Sequence, residues 1–352
     1  MSPNRPSKRV VVFVAVVIVL IGLGALAGYA LKSDALRAKL ECTRSGPLTL
    51  QSRPAGLLSA VEECSLKPGD EFKECEDCSV MVVVPPGSFT MGSPEGAIDR
   101  YNNEGPQHTV TIAKPFAVAM FLVTFDEFAK FVLATGYDAG SECWTFEDGT
   151  GEVRSRSWRT PGFPTGGTQP VVCLNWYDAK AYVAWIARKT GNPYRLLTET
   201  EWEYAARGRT EPVPYTRWFF GDDEDDLCRY GNVMDHTART SIKANPDWPF
   251  ANCSDGYAYA APVGSFKPNG FGLYDMVGNS WQYTEDCYYD SYDGAPSDGS
   301  ARTAAGECHH ITGRGGGWSV FPKNLHTTMR GHSLPDGRFT SSGLRVARTL
   351  NR

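Results

Sequence analysis

The chain has 352 residues, of which 41% are hydrophobic and 21% charged, with 36 glycines and 23 prolines. Such a length and apolar content provide for a sizeable core and exclude a disordered chain, a coiled coil and a collagen, while the glycine and proline content points to a turn-rich globular domain. Lysine and arginine number 35 against 40 aspartates and glutamates, a formal charge of −5; no basic stripe is dense enough to neutralise a row of phosphates, so nucleic acid is not an expected partner.

A short basic tail, residues 1–9 with Arg5, Lys8 and Arg9, precedes a run from Val10 to Leu31 that contains no charged residue. As a helix this run is about 33 Å long, enough for a bilayer core. A cleavable signal peptide carries an apolar stretch of only about 7 to 15 residues, so the length predicts a retained single-pass transmembrane anchor over residues 10–31, although Ala25-Leu26-Ala27 has the form of a cleavage site. The basic tail is expected to stay cytoplasmic, which places everything after Lys32 in a periplasmic or extracellular space. Ten cysteines suit that oxidising compartment and read as disulfides. Neighbours that close modest loops are expected to pair: Cys143 with Cys173, Cys228 with Cys253, and Cys287 with Cys308. Cys75 and Cys78 are read as a structural disulfide, because no second Cys-x-x-Cys follows to complete a zinc site.

Residues 32–78 have mixed charge, proline, serine and glycine without a sustained period, and read as a stalk. Beyond them, Val80–Val84, Pro85-Pro86-Gly87 and Ser88–Met91 predict a hairpin, and His108–Ile112 with Phe116–Met120 predict another pair of short strands. Thr124-x-x-Glu127 is a capping box ahead of apolar residues at helical spacing, and Gly136 supplies the stop. A second helix is predicted from Trp176 to Thr190, ended by Gly191, and a third, short helix starts at the Thr198-x-x-Glu201 box and closes at Gly208. After Gly208 no helical period appears. The acidic run Asp222–Asp226 reads as a solvated loop.

Several blocks in this sequence carry a resemblance. Met91-Gly92-Ser93, Glu104-Gly105-Pro106-x-His108-x-Val110, Tyr194-Arg195-Leu196 running into Glu201–Gly208, Gly272–Asn279, Arg314-Gly315-Gly316-Gly317-Trp318 and Gly343-Leu344-Arg345 resemble, in order, the signature blocks of the formylglycine-generating enzyme or sulfatase-modifying factor family. The likeness spans residues 79–349. It implies a mixed α+β single domain related to the C-type lectin fold, with little regular secondary structure.

The family's founding activity is the oxidation of a sulfatase cysteine to formylglycine by O2, on copper(I) held by two thiolates, a soft donor set suited to that ion. In the family those cysteines lie at the second and seventh positions past the tryptophan of the Arg-Gly-Gly block. The positions taken as matching here are Val320 and His326, and no residue from Ser319 to Arg352 is a cysteine. Formylglycine formation is therefore not expected. His309, His310, His326 and His332 are four of six histidines and could offer imidazoles to copper or iron, but their spacing matches no metal motif and they read as loop and surface residues.

Calcium is better matched. The resemblance implies one structural site at Asn232, Val233, Asp255 and Tyr257, and a second at Asp275, Gly278, Ser280 and Gln282, where the family's usual final glutamate is absent. Trp176, Trp185, Trp202, Trp281 and Trp318 read as core before cleft, and Arg314, Arg330 and Arg345 as partners of the protein's own loops before those of a ligand. If the chain is catalytic, His326, Arg314 and Arg330 are the candidates. Two functions remain open: an accessory domain presenting its cleft to a peptide or protein partner, or a metal-dependent oxidoreductase working through a non-dithiol site, as in family members of siderophore maturation or sulfur transfer.

Overall fold

The computed structural model of the protein describes residues 48–351 except 211–213, 243, 244 and 246. The expected basic tail and anchor, 1–9 and 10–31, lie outside the described residues, and among those described no helix is long and apolar enough to cross a membrane. The chain divides into two compact units. The described part of the smaller one, Leu58–Leu66 and Asn351, holds helix α1 (Ala60–Ser65), started by a Ser59–Glu62 capping box.

The larger unit runs over 48–57 and 67–350. Its first strand, β1 (Glu71–Phe72), lies antiparallel to β2 (Met81–Val84). Ordered sheet thus begins within the segment read as a stalk. β3 (Gly87–Met91) pairs with β4 (His108–Ile112), and β2 pairs with β5 (Phe116–Ala119). Both predicted local strand pairings are corrected: the strands exist, but 81–84 does not fold onto 87–91, nor 108–112 onto 116–119. Burial explains the exchange. All four side chains of β2 and of β5 are buried, as in interior strands, whereas β3 alternates half-buried and exposed residues and suits a two-stranded ribbon with one wet face.

The three expected helices form where their caps place them. α2 (Phe125–Thr135) and α3 (Trp176–Thr190) pack through Phe128 and Phe131 against Tyr182 and Trp185, with ring centroids 5.5–5.9 Å apart. Between them lies a ribbon of β6 (Cys143–Thr145) and β7 (Glu152–Arg154). β8 (Tyr194–Leu196) leads into α4 (Glu199–Arg207), and α2, α3 and α4 each end on a glycine with φ between 65° and 70°, a left-handed conformation in which a side chain would be strained. Two short helices then appear where no period was read, α5 (Leu227–Tyr230) and α6 (His236–Ser241). The acidic run ahead of α5 forms a 3-10 turn, Glu224–Asp226, with no buried residue.

The C-terminal third supplies β9 (Trp281–Cys287), β10 (Ile311–Arg314), β11 (Gly331–Ser333), β12 (Ser342–Gly343) and β13 (Val346–Thr349). The principal sheet has the order β1-β2-β5-β13-β8 and the second β11-β10-β9-β12, in which β12 runs parallel to β9. The result is a mixed α/β fold with few helices and many long connections. Disulfides join Cys75 to Cys78, Cys143 to Cys173, Cys228 to Cys253 and Cys287 to Cys308, the pairings expected from their order.

Candidate functional site

The second sheet forms the floor of a cleft of about 310 Å³, lined by Trp144, Trp281, Tyr283, Val320, His332 and Phe339 among others. Gly313 of β10 lies opposite Gly331 of β11, and the Trp281 ring rests over this bare pair: a Cβ on Gly331 would stand 2.7 Å from the indole. Aromatic walls with a few serine hydroxyls can hold an apolar or peptide-like ligand. Burial pushes the Tyr283 hydroxyl well up in pKa, and the group donates to the carbonyls of Leu174 and Gly337. His332 stacks on Tyr288 at 4.3 Å and meets His310 edge-on at 5.3 Å. Its pKa is lowered by burial and by the neighbouring His310, so this ring is neutral at neutral pH.

The sequence candidates for catalysis are placed elsewhere, in a buried network. His326, expected at the surface, is only 2% exposed. Its Nε2 lies 2.7 Å from Glu104 Oε1 and its Nδ1 3.1 Å from the Lys323 carbonyl. Both ring nitrogens face acceptors, which leaves neither lone pair for a metal. Burial raises the Glu104 pKa, but the His326 hydrogen bond and charge, the Tyr101 amide and the Thr328 hydroxyl outweigh it and bring the group from 4.5 to about 2.

On α4, Glu199 and Glu203 stand one turn apart on one face and receive the two candidate arginines. Arg330 clamps Glu199 through Nε and Nη2 at 2.6 and 3.0 Å, and Arg314 reaches Glu203 at 2.5 Å while also donating to the carbonyls of Thr327, Thr328 and Met329. Burial disfavours these cations, yet Tyr292 with Glu203 and Glu199 around Arg314, and Glu199 with Tyr292 around Arg330, hold both pKa values above the ordinary one. All three candidates hold the loops around the cleft together; none of them lines it.

The residues expected to form the first calcium site lie close together. Asn232, Val233, Asp255 and Tyr257 meet, with Asp255 accepting from the amides of Val233 and Tyr257 at 2.9 and 2.7 Å. The Asn232 amide nitrogen donates to the Tyr259 carbonyl at 2.8 Å, while its Oδ1 is buried without a hydrogen-bond partner. Asp235, absent from the sequence reading, joins the group: it caps α6 and accepts from the Asp255 amide. Atoms of Asp235, Asp255 and Cys228 lie within 4.8 Å of one another, but Cys228 is tied to Cys253, so oxygens are the available donors. Burial and the Asp235 charge push Asp255 up to about 7. An orphaned amide oxygen beside two repelling carboxylates fits a hard dication.

The second expected site is differently occupied. The Gln282 oxygen accepts from Trp202 Nε1 and Arg345 Nε at 2.9 and 2.8 Å, and the Arg345 guanidinium also takes the Tyr274 and Asp275 carbonyls. Asp275 itself accepts from the Gly264 amide and the Asn279 side chain, while the Ser280 hydroxyl donates to the Trp281 and Ser341 carbonyls and Gly278 bridges Asn232. An internal cation already uses the Gln282 oxygen.

Residues 68–350 match the sulfatase-modifying factor enzyme 1-like domain. The chain belongs to the sulfatase-modifying factor family. It is similar to a formylglycine-generating enzyme of Thermomonospora curvata, 31% identical over 76% of this chain and 92% of that protein. It is also similar to a mouse protein named inactive C-alpha-formylglycine-generating enzyme 2, 32% identical over 77% of this chain and 86% of the other. Among solved structures, PvdO from Pseudomonas aeruginosa superposes with a TM-score of 0.67 at 38% identity, covering 81% of this chain and 99% of that one.

As a member of the sulfatase-modifying factor family, the chain can be read against the expected thiolate positions. Val320 borders the cleft. The seventh residue past Trp318 is in strict count Leu325, one before His326; it is 1% exposed and packs with Trp218, Leu227, Val233 and Val277. Valine, leucine and a fully hydrogen-bonded imidazole offer copper(I) no soft donor. Trp202 and Trp318 are core as expected, whereas Trp281 and the unsuspected Trp144 line the cleft. Nothing in local spacing marks Trp144, which reaches the cleft through the β6–β7 ribbon.

Proposed function

We propose that the chain is a membrane-anchored, extracytoplasmic member of the sulfatase-modifying factor family, of C-type-lectin-related fold, that takes a peptide or protein segment into the aromatic cleft and does not generate formylglycine. Membrane attachment is assigned to residues 10–31. The observation that carries the reading is the chemistry at Val320: where the family sets a thiolate, this cleft presents an isopropyl group and aromatic walls. Relatives named as inactive formylglycine-generating enzymes agree with a non-catalytic role. In this reading calcium is held by Asn232, Asp255 and the backbone of Val233 and Tyr257, with Asp235 adding charge, and it fixes the loop that supports Val320 through the Met234 amide, which donates to the Val320 carbonyl at 3.1 Å.

Titration of the full-length chain with an aromatic-bearing peptide, followed by tryptophan fluorescence, tests the binding role. Saturable quenching that is lost in Trp281→Ala supports it; no saturable change with any peptide of a diverse set contradicts it. A second reading, a metal-dependent oxidoreductase, draws on the neutral His332 at the cleft edge facing His310. Iron or copper retained at one equivalent per chain after dialysis, and lost in His332→Ala, favours that reading over the first.

A further inference from the structure

Two aromatic walls of the cleft, Trp144 and Phe339, come from distant parts of the chain and are held on one short backbone segment. The Trp144 amide donates to the Arg338 carbonyl at 2.9 Å, and the Trp144 carbonyl accepts from the Thr340 amide at 3.0 Å. These two bonds straddle Phe339, whose ring centre stands 6.0 Å from that of Trp144. The Cys173 amide donates to the Phe339 carbonyl at 3.0 Å, and Cys173 is joined by a disulfide to Cys143, the residue before Trp144. A shift of residues 338–340 would carry both walls with it.

One charged contact fixes that segment from behind. Arg338 does not line the cleft. Its guanidinium grips Asp178 of α3 through Nε and Nη2 at 3.0 and 3.2 Å and lies against Gly140, where a Cβ would come within 2.9 Å of it. Asp178 is buried and is itself locked in place: it accepts from the Asn175 amide at 2.9 Å, within the capping box of α3, and from the Tyr137 hydroxyl at 3.0 Å. A two-pronged guanidinium–carboxylate pair sets direction as well as distance, which the single ammonium of a lysine does not. The pair therefore ties the wall-bearing segment to the start of a packed helix.

We infer that Arg338 is a positioning residue of the aromatic cleft: held by Asp178, it fixes residues 338–340 and with them the angle between Trp144 and Phe339, which selects what fits between the two rings. The effect on a ligand rests on the peptide-binding reading above; the effect on the walls does not.

The test is a double-mutant cycle in the full-length chain, read by titration with the aromatic-bearing peptide and by near-ultraviolet circular dichroism of the free protein. Arg338→Lys keeps the charge and loses the fork; it should weaken peptide binding about fivefold or more and change the tryptophan ellipticity. Both effects should vanish in a Trp144→Ala background. Arg195→Lys, the same change at the forked Arg195–Glu201 pair away from the cleft, should leave binding unaltered. If Arg338→Lys lowers the melting temperature, Tyr137→Phe, which removes one bond to Asp178, serves as the second variant, with a smaller change of the same sign. An ellipticity change that persists in the Trp144→Ala background, no ellipticity change at all, or equal weakening by Arg195→Lys would overturn the inference. Absence of peptide binding by the unaltered chain would instead refute the peptide-binding reading, and the ellipticity cycle would still decide the role of Arg338.

Discussion

His326 and Glu104 lie 222 positions apart in sequence and 2.7 Å apart in space, and their pairing decides what His326 can do. A carboxyl whose folded pKa is depressed contributes stability above its unfolded value and loses it as pH falls. For Glu104 that window runs from 4.5 down to about 2, and the contribution is about 3 kcal/mol at neutral pH. Glu104→Gln should lower stability by about 3 kcal/mol, since it removes the carboxylate on which His326, the Tyr101 amide and the Thr328 hydroxyl converge. Denaturant titrations from pH 6 to 2.5 should show the acid limb shallower in the variant; equal slopes would exclude the pairing. Restoring the family's thiolate pair therefore calls for Val320→Cys with Leu325→Cys, which leaves the His326–Glu104 contact in place. None of this was legible locally. Glu104 stood in a recognisable block and His326 between two of them, and their contact depends on a turn at Asn102–Glu104 meeting a loop near the chain's end.

Elements with local causes were legible. The capping boxes at Thr124 and Thr198 act over three residues, and both helices start where those boxes predict. Thr198→Ala should cost about 1 kcal/mol through the lost cap, measurable as a lower denaturation midpoint with unchanged slope. Strand pairing was misread, since register follows burial of both faces and not sequence proximity. The loop proposed to hold calcium shows the mixed case: Asn232 and Asp255 were named through the resemblance and do lie together, while Asp235 was hidden because its role as the α6 cap has no separate signature. Asp255, raised from 3.8 to about 7, keeps its proton to higher pH in the fold than in the unfolded chain. Stability without calcium should therefore fall as pH climbs from about 4 to 7. A bound dication reverses that penalty, so the calcium-induced rise in melting temperature should be larger at pH 7.5 than at pH 5, and absent in Asp255→Ala. A response equal at both pH values would contradict the site. The Cys228–Cys253 bridge spans 25 residues and is worth about 3 kcal/mol in chain entropy; the double serine variant should lose that stability in unfolding titrations and bind calcium more weakly.

Over the whole molecule, the resemblance read from scattered blocks proved a sound guide to family and general architecture, and the principal sheet already begins at Glu71, ahead of the boundary drawn at Ser79. Phe72 is fully buried in β1, and Glu74 and Arg348 form an ion pair in which neither side chain is exposed. A chain beginning at Leu48 keeps these groups, whereas one beginning at Ser79 deletes the edge strand and strands Arg348 in the core. The shorter chain should be less stable by about 5 kcal/mol or more, seen as loss of a cooperative thermal transition; equal melting temperatures would restore the later boundary.

The cleft was the least legible feature, because it depends on two facing glycines under Trp281, a juxtaposition made by sheet register. Its chemistry is the central claim. The most direct measurement incubates the full-length chain with copper(I), reductant, O2 and a cysteine-containing sulfatase-type peptide, and follows the peptide by mass spectrometry. The peptide thiol should remain intact, with no aldehyde above the copper-only control. Conversion of that cysteine to formylglycine at an enzymatic rate, proportional to protein concentration, would contradict the account.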